Sequence, residues 1–247
     1  MEQQAYRQQF ELEDGHWWFA GRRAVIWALA RRGGVTTGAR VLDAGCGTGR
    51  NLLEFAALGP VTGVDAAPEA VDFCRRRGVG DVALGRLEQL DLPDGAFDLV
   101  LATDVLEHLR DDRAAMRELR RVAAPNARLL VTVPAYRWLW SQHDVAHHHF
   151  RRYTLAQLRE RLVACGWHPL TWSYFNSLLL PPIAAVRVLG RRHGDEIAQR
   201  PDLRLTPAGL DRVLAQPMRA EAAVIARGGR LPAGVSIGMV CAAGAMP

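Results

Sequence analysis

At 247 residues the chain has the size of one large domain, and a hydrophobic content of 49% is enough to build a sizeable core. Its net charge of +5 comes from 31 arginines with no lysine; with the abundance of Ala and Gly this reads as a GC-rich coding background, and arginine clusters such as 75–77 and 120–121 read as solvated helix faces. Cys46, Cys74, Cys165 and Cys241 are scattered without CxxC spacing, which speaks against a zinc site or a disulfide framework and fits a reducing cytoplasm.

The first residues, MEQQAYRQQFELEDGHWWF, are polar and acidic ahead of an aromatic patch and lack the basic start and apolar stretch of a signal peptide, so no export is expected. The segment up to residue 32 reads as a helical cap carrying His16, Trp17, Trp18, Phe19, Arg22 and Arg23. From residue 40 onward, apolar runs bounded by Gly, Pro or Asp alternate with amphipathic stretches, the pattern of parallel strands joined by helices. Strands are expected at 40–43, 60–64, 82–84, 97–103, 128–134, 168–174 and 236–242, with helices near 51–57, 68–77, 112–123 and 155–165. The stretch 176–232 interrupts this alternation and reads as two or three helices; it and the N-terminal segment are candidate lids. Its most apolar part, 177–189, is too short to span a bilayer and contains Pro181, Pro182 and Arg187. That part either lines an acceptor pocket or touches a membrane surface. One domain is expected, with a cap at 1–32, a cofactor-binding core at 40–175, an insertion or lid at 176–232 and the last strand within 233–247. The oligomeric state is not legible.

The sharpest motif is VLDAGCGTG at residues 41–49, where a short apolar strand ends in Asp43 and runs into Gly45, Gly47 and Gly49. Glycines there permit a tight turn and close approach of a ligand to the backbone. The next strand ends in Asp65, about twenty residues beyond the loop, where a carboxylate can accept hydrogen bonds from both hydroxyls of a ribose.

The pattern D-x-G-x-G-x-G from Asp43 resembles the class I S-adenosylmethionine-dependent methyltransferases, not the GxGxxG dehydrogenases, and it lacks the Gly-Lys-Ser/Thr ending of a Walker loop. LEQLDLPDGAFDLVLATDVLEHL, residues 87–109, is similar to the fourth-strand region of the small-molecule methyltransferases of the ubiquinone-biosynthesis type. The resemblance covers roughly residues 40–134 and implies a Rossmann-like, doubly wound α/β fold. Its seven-stranded sheet would be mostly parallel with the last strand antiparallel. It further implies that Gly45, Cys46 and Gly47 face the methionine part of S-adenosylmethionine, Asp65 the ribose, and Ala66 with Leu87 the adenine, while Thr103 closes the site. Many relatives carry an acidic residue after the third strand for the adenine amino group; here Arg86 stands at that position, so either Glu88 substitutes or the contact is absent. The combination of HWW near the N-terminus with HDxxHHxxRRYT at 143–154 resembles a bacterial subgroup often found beside lipid or polysaccharide glycosyltransferases. By that likeness Trp17, Trp18, Arg22 and Arg23 fold over the cofactor pocket, although hydrophobic packing also accounts for the tryptophans. Tyr136, Arg151, Arg152 and Tyr153 would meet the acceptor or anchor its loop.

Methyl transfer from a sulfonium is an in-line displacement, so the enzyme must chiefly align donor and acceptor and exclude water. A base is needed only where the acceptor loses a proton. The stretch after Pro134 gathers His143, Asp144, His147, His148 and His149, and an imidazole titrates in the right range to accept a proton at neutral pH. Asp144 is expected to orient His148 one helical turn later, and His147 and His148, with Glu107, are the expected catalytic groups. Exposed loop histidines are the plain alternative. Asp104, Glu107 and His108 also share a D/E-x-x-E-H spacing that certain O-methyltransferases use, with a later histidine, for a divalent ion; His147 or His148 would complete a Mg2+ site. Against it, the VLEH run is common in family members with no known metal. The expected function is methylation of a small acceptor, anionic or isoprenoid- and lipid-like, with metal-assisted O-methylation and RNA methylation as alternatives and a non-catalytic cofactor-binding partner as a third. The chain shows no NPPY-type motif or basic tail to favour RNA, and Asp65 with the histidine cluster argues for catalysis.

Overall fold

The structure, a computed structural model, describes residues 3–192 and 208–244. Strands β1 (Val41–Ala44), β2 (Val61–Asp65), β3 (Asp81–Leu84), β4 (Phe97–Thr103), β5 (Ala123–Pro134), β6 (Trp167–Phe175) and β7 (Ser236–Ala243) form one sheet in the order β3-β2-β1-β4-β5-β7-β6. Strand β7 runs antiparallel to both of its neighbours, and β1 to β5 pair parallel, as expected for the last strand of this sheet. The order reverses between β1 and β4, and a crevice at such a switch point is where open α/β sheets take ligands.

Parallel strands covered on both faces read as near-continuous apolar runs, as in FDLVLAT of β4, and alternate residues serve opposite faces. Val100 and Ala102 join Met116, Leu119, Leu158 and Leu162 on one side of the sheet. Leu99 and Leu101 join Val25, Ile26, Leu29, Met218 and Ile225 on the other. The first layer consists of α5 (Asp112–Val122) and α7 (Leu155–Ala164), whose starts are fixed by Asp111 accepting from the Ala114 N–H at 2.9 Å and by a Thr154/Gln157 capping box. The second consists of α2 (Trp17–Arg32) packed on α9 (Ala208–Ala226). These two helices come from the N-terminal segment and the late insertion, so parts of both additions are structural layers. Of the outer parts, α1 (Gln3–Leu12) packs on the helix after β2, and α8 (Leu180–Arg192) meets the loop after β5, where Arg187 donates to the Leu139 carbonyl. Glu221 of α9 accepts from the backbone N–H groups of Asn176, Ser177 and Leu178 and so anchors the approach to α8. Shorter helices α3 (Arg50–Phe55) and α4 (Pro68–Arg76) follow β1 and β2. Residues 193–207 of the expected insertion lie outside the described residues.

One boundary differs by more than two residues. Strand β5 begins at Ala123, not at residue 128, because the Pro125–Asn126 stretch that reads as a loop is absorbed in a register shift: Phe97 pairs with Ala123, and then Leu99 pairs with Arg128. Such a bulge tolerates a proline that a regular ladder would not.

Candidate active site at the carboxyl ends of β1, β2 and β4

The glycine loop leaves β1 with Gly45 at φ +78° and Gly49 at φ +83°, conformations that favour glycine. A Cβ on Gly45 would stand 2.4 Å from Val105 Cγ2, and one on Gly49 2.9 Å from Cys74 Sγ, so space as well as backbone demands glycine at both. Between them the Gly47 N–H donates to Asp65 Oδ2 at 2.9 Å, while the Ala67 N–H donates to Asp65 Oδ1 at 3.0 Å. Burial pushes the Asp65 carboxyl above its usual range, against the pull of these N–H groups. Ala66 beside it is exposed, whereas Leu87 is part of the core. Cys46 lies 3.9 Å from Cys74, sulfur to sulfur, and all four cysteines are free and buried. Asn51 donates to the Thr103 hydroxyl at 3.0 Å. Arg86 is exposed and ion-paired to Glu88 at 3.1 Å.

Asp43 had no assigned role beyond opening the motif, yet it is the most unusual group in the loop. It is fully buried and neither carboxylate oxygen has a hydrogen-bond partner among the described residues. Burial pushes it up to about 7, against the opposing charge of Arg22. Native structures rarely leave a buried carboxylate without a hydrogen-bond partner.

Helix α1 covers this loop. The buried Tyr6 hydroxyl is hydrogen-bonded to Asp65, and burial together with that carboxylate raises the Tyr6 pKa well above the usual phenol range. Gln9 Nε2 lies 3.5 Å from where a Cβ on Gly47 would stand. Arg77, just past α4, holds the helix down: it donates to Glu13 Oε1 at 2.6 Å and to the Thr48 carbonyl at 2.8 Å, and stacks over Phe10 at 4.5 Å. The Thr48 hydroxyl meets the same Glu13 carboxylate. Reading the sequence missed this clamp, although Tyr6, Phe10 and Glu13 recur at helical spacing and carry a faint signal of a buried face. Of the residues expected over the pocket, Arg22 pairs with Asp104 Oδ2 at 2.6 Å. Arg23 pairs instead with Glu54 at 2.9 Å, and Trp17 and Trp18 pack against the α2 and α9 layer, Trp18 also facing Arg22.

The histidine cluster is built by the turn after β4 and the loop after β5. Glu107 and His108 sit on a single 3-10 turn (Leu106–His108), and the Glu107 carbonyl accepts from the Phe150 N–H at 2.7 Å, which ties the histidine loop to that turn. Asp144 orients His149, with Nδ1 to Oδ1 at 2.9 Å, and not His148. The helix around Asp144, Gln142–Ala146, ends before a further turn is complete; His148 adopts φ +54° and is exposed, so the i+4 relation expected of it breaks and the next imidazole meets the carboxylate. His147 Nδ1 is bonded to the His143 carbonyl at 2.9 Å. Burial raises the Asp144 carboxyl, but His149, Arg152 and the Ser141 N–H outweigh it and leave it below the usual range.

The arginines expected at the acceptor are internal struts. Arg152 is buried and donates to Asp144 at 2.7 Å and to the Ala135 carbonyl at 3.0 Å. Arg151 pairs with Asp112 at 2.8 Å, and the buried Tyr153 hydroxyl donates to the same Asp112 at 2.8 Å. These contacts tie the loop after β5 to α5 and to the end of β5. Tyr136, at φ +56°, stacks on Tyr174 with centroids 5.4 Å apart.

A doubly wound sheet with a glycine turn, a buried orphan carboxylate and a strand-end Asp at its switch point defines a nucleotide-type cofactor protein. Comparison sharpens that class. Residues 42–131 match the family model described as a methyltransferase domain. A Mycolicibacterium smegmatis protein described as a "Probable S-adenosylmethionine-dependent methyltransferase" is 31% identical over 193 residues, covering 76% of this chain and 72% of its own. The malonyl-[acyl-carrier protein] O-methyltransferase of Serratia marcescens is 34% identical over 151 residues, 58% of this chain and 59% of that protein. Another relative, an uncharacterised protein of a Streptomyces fradiae transposon, is matched over 30% of its length, so the chain spans only part of some of the curated relatives it matches. The fold also matches a solved structure of the Burkholderia thailandensis 1,6-didemethyltoxoflavin-N1-methyltransferase with bound 1,6-didemethyltoxoflavin and S-adenosylhomocysteine, at a TM-score of 0.54 and 20% identity over 92% of this chain and 79% of that one. The chain belongs to the class I S-adenosylmethionine-dependent methyltransferases.

Proposed function

We propose that this chain transfers a methyl group from S-adenosylmethionine to a small-molecule acceptor held between the glycine loop and the histidine loop. The observation that carries the reading is the pair of buried carboxylates at adjacent strand ends, Asp43 without a hydrogen-bond partner among the described residues and Asp65 bound to the loop it faces. The cofactor supplies an activated methyl on a cationic sulfur. Asp43 meets its positive methionine end, and Asp65 takes the ribose hydroxyls in place of Tyr6. Helix α1 then excludes water from the reacting centre.

The acceptor faces Thr103, Asp104, Glu107, His108 and His149, and loss of its proton, where the chemistry needs it, is assisted by the last three. This moves the base from His147 and His148 to a neighbouring group. An anionic acceptor loses support, because Arg22, Arg151 and Arg152 each already face a carboxylate. An apolar acceptor gains it: Trp138, Val145, Phe150 and Leu178 are exposed on the segments that frame this side. No helix among the described residues is long and apolar enough to cross a membrane.

Titration calorimetry with S-adenosylmethionine tests the donor site. The wild-type protein is expected to bind one equivalent and Asp65→Ala to lose at least tenfold in affinity, roughly the share of one charge-assisted hydrogen-bonding group. Unchanged affinity in the variant removes the assignment. Incubation with methyl-labelled cofactor and a cell extract then identifies the acceptor by what becomes labelled.

A further inference from the structure

Beside the cofactor pocket, Glu107, His108 and His149 each bring one ligand-type atom within 4.8 Å of the others. What surrounds each of them is more informative than the clustering. Glu107 is 1% exposed, and its Oε2 is buried with no hydrogen-bond partner among the described residues. Native structures rarely leave such an oxygen unmet, so something that the protein binds is expected to meet it. His149 gives its Nδ1–H to Asp144, a carboxylate held ionised by Arg152 at 2.7 Å, which leaves Nε2 as a lone pair. His108 gives a ring N–H to the His147 carbonyl, which leaves its other ring nitrogen to coordinate. The two rings stand edge to face with centroids 4.6 Å apart. An outer carboxylate or carbonyl fixing the tautomer of each imidazole is the arrangement that surrounds metal-ligating histidines.

The backbone is bent to make this convergence. Asp104, three residues before Glu107, lies at φ +53°, and His148, next to His149, at φ +54°. Neither is glycine, and strain of this kind is retained where the surrounding structure holds it for a purpose. Asp104 itself is occupied by Arg22 and by the Thr132 hydroxyl at 3.0 Å, so it is not one of the converging ligands.

We propose that Glu107, His108 and His149 form a binding site for one divalent first-row transition ion, held by two imidazoles and one carboxylate with its remaining positions open toward the acceptor. Two nitrogens and one oxygen suit Zn2+, Fe2+, Mn2+ or Co2+ better than Mg2+, which prefers an all-oxygen shell. Ligand atoms about 2.0–2.2 Å from one ion stand about 3–4 Å apart, so binding draws the three side chains together by roughly an ångström. The role of the ion rests on the methyltransferase reading: an acceptor hydroxyl bound at an open position is polarised and loses its proton more readily. The existence of the site does not rest on that reading.

The test is titration of chelator-stripped, full-length protein with Co2+, followed by ligand-field absorption, and with Zn2+, followed by calorimetry. One equivalent of either ion is expected to bind, with the absorption of an ion of low coordination number. His108→Gln, His149→Gln and Glu107→Gln are each expected to weaken binding at least tenfold, and Asp144→Asn, acting through His149, by about 10–100-fold. His143→Gln is expected to leave it unchanged. Circular dichroism on the same samples shows that each variant is folded. Failure of the folded wild-type protein to bind either ion overturns the proposal, as does binding that is lost in His143→Gln and kept in His149→Gln. S-adenosylmethionine titrated into the same samples reports the donor site separately, so loss of one reading is distinguishable from loss of the other.

Discussion

At the scale of single residues, Asp43 controls how the donor site responds to pH. Its folded-state pKa of about 7 stands above the unfolded value, so ionisation of the buried group costs stability. That cost sets in above the unfolded value near 4 and grows as pH rises through the folded one. The free protein is therefore expected to lose stability across this window, and a ligand with a cationic methionine end to restore it. Cofactor affinity should rise about tenfold between pH 6 and pH 8, with proton release on binding, as the ionised fraction of a group with a pKa near 7 does. Asp43→Asn should abolish both the slope and the proton release. Calorimetry in buffers of different ionisation enthalpy measures this, and a flat wild-type profile contradicts it. His149 makes the complementary point about legibility. The density of histidines at 143–149 pointed to this loop, but which ring meets Asp144 depends on one residue, His148, turning to positive φ. Nothing in the spacing encodes that turn.

At the scale of elements, α1 is held by α4 and by the cofactor loop, through Phe10 against Phe73 and Arg77 and through Tyr6 on Asp65. Arg77 and Glu13 are both nearly fully buried in their ion pair. Removing one partner of such a pair costs about 3–5 kcal/mol when the other must stay buried. Here α1 can lift and hydrate Glu13, so the loss appears as local opening. Arg77→Ala is expected to speed hydrogen exchange of the α1 amides roughly a hundredfold, leaving the β4 and β5 amides protected, and to weaken cofactor binding. Equal protection of α1 in variant and wild type contradicts the clamp. The core elements were far more legible than this one. Strand β4 lies where its apolar run placed it, at 97–103, and α5 and α7 begin at 112 and 155, as expected. Helix α1 is short and polar, and its burial depends on a helix sixty residues away.

At the scale of the whole molecule, every layer reaches the site: Asp43 and Asp65 end strands, Arg22 comes from the α2 and α9 layer, and Arg77 closes α4 against α1. Binding is thus coupled to global stability. S-adenosylhomocysteine at about a hundredfold excess over its Kd is expected to add about 2.7 kcal/mol, raising Tm by about 5–10 °C for a chain of this size. Differential scanning calorimetry checks it, and an unmoved Tm contradicts a donor site formed by the folded core. The arginine excess also takes on a structural meaning at this scale. Arg32, Arg120 and Arg128 donate to the carbonyls of Gly229, Gly244 and Gly33, fastening chain segments that meet only in the fold.

The sequence by itself determined the strands, their alternation with helices, the glycine turn after β1 and the carboxylate ending β2. These follow from local sterics and from the period at which apolar residues recur, and both act over a few residues. Tertiary structure alone decided that α2 and α9 share one layer, that α1 seals the loop through Tyr6 and Arg77, that Arg151 and Arg152 face inward, and that His149 joins Glu107 and His108. Each of these depends on which distant groups packing brings within a few ångströms, and on which buried charges then find partners.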